Sequence, residues 1–223
     1  MKIGVFGDSF ADKTCSHIWW KYLHTVYGHD VSCFGEGGSS LSFSVDLIDF
    51  YHQDFDQIIW CATSINRISF WHKDRAYHNT GTSKPTPCGD VEIDEKRRII
   101  YDYLTRAYDW HFQEILGHAL ISYMLTKYPK IMIVPCFNVP VYFMKDPGFN
   151  LYDLCVMETQ CFFPGKDAST VINSDLDHRQ GHLTQTNQKI LAKLIDANLG
   201  PGIFSTGYEN FIFDKNRIAE FGG

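Results

Sequence analysis

Long hydrophobic runs are absent from this chain of 223 residues. The longest apolar stretch, residues 131–141, is shorter than the ~20 residues that a membrane-spanning helix needs, and Pro135 and Pro140 interrupt it. The apolar run at residues 3–6 is likewise too short for the core of a secretion signal. We therefore expect a cytoplasmic protein that has no membrane partner.

Charge is also scarce. Charged residues make up 21% of the chain, and 20 Lys and Arg stand against 26 Asp and Glu, which gives a net charge of −6. Proteins that bind nucleic acids usually present a basic surface, so this balance argues against a nucleic-acid partner. With 44% hydrophobic and 15% aromatic residues the sequence can form a sizeable core, which excludes a disordered chain. The length suits a single domain over residues 1–223.

Motifs for metal sites and disulfide frameworks are missing. The seven cysteines are an odd number without a C-x-x-C pair, and the ten histidines include no H-E-x-x-H motif. We expect reduced, mostly buried thiols and no structural metal. The glycine-rich stretch at residues 35–40 lacks the Gly-Lys-Ser/Thr ending of a phosphate-binding loop.

Short apolar segments alternate with segments of helical periodicity. We expect strands at residues 2–6, 30–34, 57–61 and 130–134. Helices are expected at residues 15–27, 41–51, 94–128 and 183–199, the third as one helix or as two broken near Gly117. This alternation predicts an α/β fold, a three-layer α/β/α sandwich with a mostly parallel central sheet.

Three stretches interrupt this alternation. Residues 71–95 contain few apolar side chains and are expected to form a surface insertion or a lid. Residues 137–172 contain several prolines and are expected to be irregular. Residues 200–223 are expected to form a C-terminal arm that packs on the body of the protein or on a partner.

Polar residues cluster at the ends of the predicted strands. Gly7-Asp8-Ser9-Phe10 follows the first strand, residues 35–40 follow the second, residues 63–67 follow the third, and residues 175–184 precede the last helix. Taken singly, each cluster is also typical of a turn, and Ser9 is also typical of a helix cap. Because the carboxyl ends of parallel strands meet at one edge of a sheet, the four clusters together indicate an active site.

The residue types in these clusters suit acyl chemistry. A serine in a strand-to-helix turn can use its hydroxyl as a nucleophile and its own N–H as a donor to a developing oxyanion. A glycine N–H and an asparagine amide are further donors of this kind. A histidine that a carboxylate orients is a general base.

This combination resembles the SGNH, or GDSL-type, hydrolase family. Residues 7–10 are similar to the family's Gly-Asp-Ser-Leu block, and Gly37 or Gly38 is similar to its second-block glycine. Ser64-Ile65-Asn66-Arg67 resembles the Gly-x-Asn-Asp block, and His182 resembles the histidine of the final Asp-x-x-His block. The resemblance extends over residues 2–199.

The resemblance implies a serine-dependent hydrolase of acyl or acetyl esters, carried on a small molecule or a glycan. Ser9 would be the nucleophile and His182 the general base. The N–H groups of Ser9 and Gly38 and the amide of Asn66 would form the oxyanion hole. The family mechanism requires no metal and no organic cofactor.

Two blocks depart from the family pattern. Ser64 and Arg67 replace a glycine and an aspartate, and we expect Arg67 to pair with an acid rather than to bind an anionic substrate. Arg179 occupies the position of the family's aspartate, which leaves Asp177, and after it Asp175, as candidates for the acid that orients the histidine. The alternative is that neither does so, since some members of such folds use a Ser-His dyad or a backbone carbonyl.

These departures also suit an alternative function. An SGNH-fold protein without catalytic activity would act as a binding or structural module. The first and third blocks look like those of divergent phage-encoded or environmental bacterial members, which would allow a place in a virion.

Overall fold

Three apolar strands form the centre of a parallel sheet in the computed structural model, which describes residues 1–15, 18–73, 75–80, 85–107, 109–137, 149–162 and 183–213. The strands are β1 (Lys2–Gly7), β2 (Asp30–Cys33), β3 (Gln57–Ala62), β4 (Arg67–His72), β5 (Arg75–Thr80), β6 (Ile131–Pro135) and β7 (Gly202–Ile203). The helices are α1 (Trp19–Thr25), α2 (Leu41–Tyr51), α3 (Val91–Arg106), α4 (Trp110–Lys127), α5 (Leu151–Phe162) and α6 (Gln185–Ala197). Within the described ranges, no helix has the length and apolar character needed to cross a membrane.

Five strands make one sheet in the order β2-β1-β3-β6-β7, and every neighbouring pair is parallel. The central strands β1, β3 and β6 are buried along almost their whole length. The chain leaves β1 for β2 on one side and then passes to β3 on the other, so the topology switches direction between β1 and β3. Open α/β sheets bind ligands at the carboxyl ends of the strands at such a point.

Helices cover both faces of this sheet. One apolar cluster joins α1, α5 and α6 to side chains such as Val5 and Val134, and a second joins α2 and α4 to side chains such as Trp60 and Ile133. The predicted three-layer α/β/α sandwich with a mostly parallel sheet is therefore confirmed.

The helical region predicted over residues 94–128 is two helices, but the break near Gly117 is wrong. Helix α3 ends at Arg106, and α4 begins after Asp109, whose carboxylate accepts the N–H of Phe112 at 3.0 Å. An aspartate cap satisfies an N–H group that has no partner within the helix. Gly117 lies inside α4, where the absence of a Cβ leaves room for Ile65.

The prediction that residues 137–172 are irregular is wrong for residues 151–162, which form α5, whereas residues 138–148 and 163–172 lie outside the described residues. Asn150 starts this helix, since its Oδ1 accepts the N–H of Asp153 at 2.7 Å. Leu151 and Leu154 on the same helix are fully buried against the sheet. The sequence therefore contained a helix signal in this proline-containing region, namely a capping asparagine followed by apolar residues at helical spacing.

The predicted insertion and arm have defined structure in their described parts. Residues 71–95 run from the end of β4 through β5 into the first turn of α3, and β4 and β5 form an antiparallel hairpin apart from the main sheet. In the C-terminal segment, β7 pairs with β6, and Phe204 and Phe211 are buried. The described part of the segment thus packs on the body of the protein.

A buried carboxylate joins α5, α6 and the C-terminal segment. Glu158 is 3% exposed; its Oε2 accepts the N–H of Thr184 at 2.8 Å, and its Oε1 accepts Nδ2 of Asn187 at 2.7 Å. The side chain of Asn187 also accepts a hydrogen bond from the N–H of Ile212 through Oδ1 and donates one to the carbonyl of Ile212 through Nδ2. Burial raises the pKa of Glu158 to about 7, although the hydrogen bonds from Thr184 and Asn187 act in the opposite direction.

We expect this glutamate to make the stability of the protein depend on pH. Its pKa of about 7 in the folded state lies above the usual 4.5, so the folded state binds the proton more tightly than the unfolded state. The free energy of unfolding should therefore fall, by on the order of 3 kcal/mol, as the pH rises from about 4.5 to about 7. Urea unfolding at about pH 5 and about pH 8 measures this fall.

The Glu158→Gln variant should lose this fall because an amide does not titrate. The matched control is Glu95→Gln, which removes an exposed glutamate on α3 and should keep the pH dependence. An equal pH dependence in the wild type and in Glu158→Gln would contradict the raised pKa.

Candidate active site

Two loops meet at the carbonyl oxygen of Gly7, the last residue of β1. The N–H of Glu36 and the hydroxyl of Ser39 donate to this oxygen at 3.1 Å and 2.9 Å. Gly7 has a φ of +148°, and a Cβ there would lie 2.5 Å from the Cβ of Cys61 on β3. Glycine suits this position because it tolerates the positive φ and has no Cβ that would contact Cys61. The two hydrogen bonds to its carbonyl oxygen hold the loop after β2 against the start of the loop after β1.

Asp8 joins the loop after β1 to the loop after β3. Its side chain is fully buried; Oδ1 accepts the N–H of Phe10 at 3.0 Å, and Oδ2 accepts the hydroxyl of Thr63 at 2.7 Å and Nη1 of Arg67. A carboxylate tolerates burial when it is paired and hydrogen-bonded. The expectation that Arg67 pairs with an acid is confirmed, and the pair holds the two loops together.

Ser9 follows directly on this pair and opens a short 3-10 helix, Ser9–Ala11. The N-cap of this helix is Asp8 and not Ser9. Ser9 is half-buried and stands at the carboxyl end of β1, next to the point where the strand order switches. The structure thus places the predicted nucleophile where α/β sheets bind their ligands.

The loop after β2 carries the two glycines between which the sequence pattern did not decide. Gly38 has a φ of +82°, which favours glycine, and Gly37 has no positive φ. The flanking residues are fixed, because the N–H of Ser39 donates to the carbonyl of Glu36 at 3.1 Å and Ser40 caps α2. Gly38 is therefore the position in this loop whose backbone conformation requires glycine.

Asn66 lies in the turn between β3 and β4. The N–H of Arg67 donates to the carbonyl of Ser64 at 3.3 Å, which closes the turn, and the hydroxyl of Ser64 donates to Oδ1 of Asn66. The bond fixes the oxygen end of the amide, so Nδ2 points to the other side. Ser64, which departs from the family pattern, thus fixes the orientation of the Asn66 amide.

Sequence reasoning missed a hydrogen-bonded row of Ser69, His78 and Glu36. The hydroxyl of Ser69 lies 2.8 Å from Nδ1 of His78, and Nε2 of His78 lies 3.3 Å from Oε2 of Glu36. Burial lowers the pKa of His78, although Glu36 acts in the opposite direction, and this lowering favours the neutral ring. With Ser69 donating to Nδ1, the Nε2–H of this neutral ring donates to Glu36.

This row has the residue types of a catalytic triad, yet its hydrogen bonds indicate a structural role. Ser69 lies within β4, and its oxygen also accepts the N–H of Ser40 at 2.9 Å. The row therefore fastens the β4–β5 hairpin to the loop that carries Gly38. Ser69 and His78 face each other in the hairpin register, and no local sequence motif reveals that pairing.

The thiol of Cys33 is half-buried, and that of Cys136 is fully buried. Burial raises the pKa of Cys33 to about 12, and the same cause raises the pKa of the fully buried Cys136. A thiol must lose its proton to act as a nucleophile, so neither is activated at neutral pH. Among the described residues, no cluster of three or more His, Cys, Asp or Glu side chains could hold a metal ion.

The predicted base His182 and the acids Asp177 and Asp175 lie outside the described residues. The described chain resumes at Leu183, which is buried in the same apolar cluster as Phe10. The roles of the three residues therefore stay predictions.

Comparison with known proteins adds little to this geometry. No protein-family model matches the chain, and no curated protein matches it in sequence. Among solved structures, the acetyl xylan esterase AlAXEase is similar with a TM-score of 0.44 and 11% identity, over 86% of this chain and 96% of that chain. A likeness this low carries no argument about fold or activity, so the function has to be inferred from the residues of this chain.

A tight backbone contact beside the site leads to a stability prediction. A Cβ on Gly35 would overlap the backbone carbonyl of Ala11, so Gly35→Ala should lower the free energy of unfolding by about 2–3 kcal/mol. The control Gly200→Ala meets its nearest atom only at 3.9 Å and should change stability by less than about 0.5 kcal/mol. Equal urea midpoints for the two variants would contradict the close approach of the two loops.

Proposed function

We propose that this chain is a serine-dependent ester hydrolase with Ser9 as its nucleophile. The observation that carries the proposal is the buried carboxylate of Asp8, which joins the turn of Ser9 to Thr63 and Arg67 on either side of Asn66. The bonds to the carbonyl of Gly7 bring in the loop after β2 as well. Nucleophile and donors therefore come from neighbouring loops held by buried contacts.

The oxyanion hole consists of the N–H groups of Ser9 and Gly38 and the side-chain amide of Asn66. Two features support it: the left-handed conformation of Gly38, and the bond from Ser64 that leaves Nδ2 of Asn66 as a directed donor. Donors held in place before the reaction stabilise the oxyanion without reorganisation during it.

The reaction follows from these roles. Ser9 Oγ attacks the carbonyl carbon of the ester, and its proton passes to His182 as the carbon–oxygen bond forms. The tetrahedral oxyanion collapses, the bond to the alcohol breaks, and His182 returns the proton to the leaving oxygen. Water then releases the acid from the acyl-enzyme by the same steps. These steps need no cofactor. The substrate is a small-molecule or glycan ester.

The proposal that His182 is the base is supported by the contacts of the two residues that follow it, Leu183 and Thr184. Leu183, which follows His182, shares an apolar cluster with Phe10, which follows Ser9. Thr184 is fixed by Glu158 at 2.8 Å. The shared cluster places the start of α6 on the same side of the sheet as the turn of Ser9, and the bond to Glu158 fixes that start to α5. Asp177 is the carboxylate proposed to orient the imidazole.

The test of this function is turnover of esters by the purified full chain. p-Nitrophenyl acetate and acetylated xylo-oligosaccharides are incubated with native protein, heat-denatured protein and buffer. Release of p-nitrophenol or acetate by the native protein alone supports the proposal. A folded protein that cleaves neither substrate nor longer acyl esters would favour a binding or structural module of the same fold.

A further inference from the structure

A cavity of about 350 Å³ lies between the turn that carries Asn66 and the helices α2, α3 and α4. Ile65 and Arg67, the two neighbours of Asn66, both line it, and so does Leu41, three residues after Gly38. The cavity thus borders the turn that carries Asn66 and the start of α2, the helix that follows the loop of Gly38. A larger cavity of about 710 Å³ lies along α3 and touches none of these residues.

Six of the ten residues that line the smaller cavity are apolar. The apolar part of the wall is formed by branched side chains from α2, from the start of the hairpin and from α4, namely Leu41, Ile65, Ile68, Leu116 and Leu120. Leu116 is 44% exposed, so the cavity opens to solvent along α4.

The polar side chains in the wall are engaged by other protein groups. Nε2 of Gln113 donates to the hydroxyl of Tyr103 at 3.3 Å, and the hydroxyl of Ser42 lies 2.9 Å from that of Ser40. The guanidinium of Arg67 is held by its buried carboxylate partner. A sugar ring would need directed polar groups in the wall, whereas a hydrocarbon chain needs none. The cavity therefore suits a hydrocarbon.

We propose that this cavity is the subsite for a medium-length, unbranched acyl chain of the ester substrate. The inference rests on the proposed function, because a carbonyl oxygen in the oxyanion hole would leave the acyl carbons near Asn66, and the two chain neighbours of Asn66 line the cavity. A volume of about 350 Å³ is at the low end of ligand pockets, which suits one chain and not several.

Gly117 allows Ile65, a residue of the cavity wall, to pack against the backbone of α4. A Cβ at Gly117 would lie 2.7 Å from Cγ2 of Ile65, so only glycine lets Ile65 lie this close to the backbone of α4. Glycine inside a helix is destabilising relative to alanine. Its place in the middle of α4 is explained by the space that Ile65 needs at the cavity.

The test compares two neighbouring substitutions on α4. Leu116→Trp fills the cavity, and Ile115→Trp adds the same ring next to it, at a residue that is 49% exposed and does not line the cavity. The substrates are p-nitrophenyl acetate and p-nitrophenyl octanoate, and the readout is the ratio of the two kcat/KM values.

We expect the wild type to prefer octanoate over acetate by about 10-fold or more, because each buried methylene strengthens binding. Leu116→Trp should lower the octanoate-to-acetate ratio by about 10-fold or more, and Ile115→Trp should keep it within about 2-fold. An equal ratio in the wild type and in Leu116→Trp, with acetate still cleaved, overturns the subsite and leaves the hydrolase in place.

A second measurement separates the subsite from the catalytic proposal. If the wild type cleaves neither ester, calorimetric titration with sodium octanoate tests the cavity alone. Weaker binding by Leu116→Trp than by Ile115→Trp then supports the subsite and rejects only the hydrolase. Equal binding by the two variants, or none by the wild type, rejects the subsite.

Discussion

Replacing Ser9 by alanine is expected to lower kcat for ester hydrolysis by about 10⁴-fold or more. The substitution removes the oxygen proposed to form the acyl-enzyme, so only the proposed oxyanion donors and substrate binding would remain. The fold should persist, because Asp8 caps the 3-10 helix and makes the bonds to Thr63 and Arg67. Steady-state kinetics with p-nitrophenyl acetate and a thermal unfolding curve measure the two effects separately.

Ser69→Ala is the matched control for this variant. Its hydroxyl lies 2.8 Å from a ring nitrogen of His78, so Ser69 is the described serine whose surroundings most resemble those of an activated nucleophile. We expect a loss of activity below about 10-fold, because the two hydrogen bonds that disappear, with His78 and with the N–H of Ser40, support the loop of Gly38 without taking part in the proposed reaction. Near-complete loss in Ser69→Ala together with an active Ser9→Ala would assign the nucleophile to Ser69 instead.

Replacing Asn66 by alanine is expected to lower kcat by about 100- to 1000-fold, the usual effect of removing one oxyanion donor. The loss should fall on kcat more than on KM, because the oxyanion exists only in the transition state and the intermediate. The control Asn210→Ala removes an exposed asparagine from the C-terminal segment and should keep wild-type kinetics.

Ser64→Ala sharpens the test of Asn66. It keeps the amide but removes the hydroxyl that donates to its Oδ1, so the loss of activity should be smaller than in Asn66→Ala. Wild-type turnover in Asn66→Ala would remove this residue from the oxyanion hole.

The elements that the sequence predicted correctly carry local signals. The segment 41–51 has a helical apolar face and follows Ser40, and α2 has these bounds with Ser40 as its cap. Thr184 precedes the apolar face of the last helix and caps α6 by accepting the N–H of Asn187 at 3.3 Å. Apolar strands and side-chain caps depend on neighbours within a few residues, so one sequence suffices to find them.

The hairpin β4–β5 could not be predicted because its turn lacks the usual signal. Lys73 has a φ of +54°, a conformation in which hairpins normally place glycine or asparagine. Without the turn, the register that puts Ser69 opposite His78 is invisible in the sequence. The row that holds the loop of Gly38 was missed for that reason.

The candidate site was only partly accessible to sequence reasoning. Parallel strands bring Ser9, Gly38 and Asn66 to one edge of the sheet, and the order of motifs along the chain predicts this. The bond between Asp8 and Arg67 spans 59 positions and depends on the packing of two loops. Arg67 was expected to meet an acid, but nothing in the sequence says which one.

The most direct test of the proposed nucleophile is labelling of the purified full chain with a fluorophosphonate, followed by mass spectrometry of the modified peptide. The expected result is one adduct on Ser9, strongly reduced in His182→Ala and lost in Ser9→Ala. An activated serine hydroxyl reacts with such a probe, whereas an ordinary serine does not. A folded protein that forms no adduct, or that forms one at a residue other than Ser9, would contradict the proposed hydrolase.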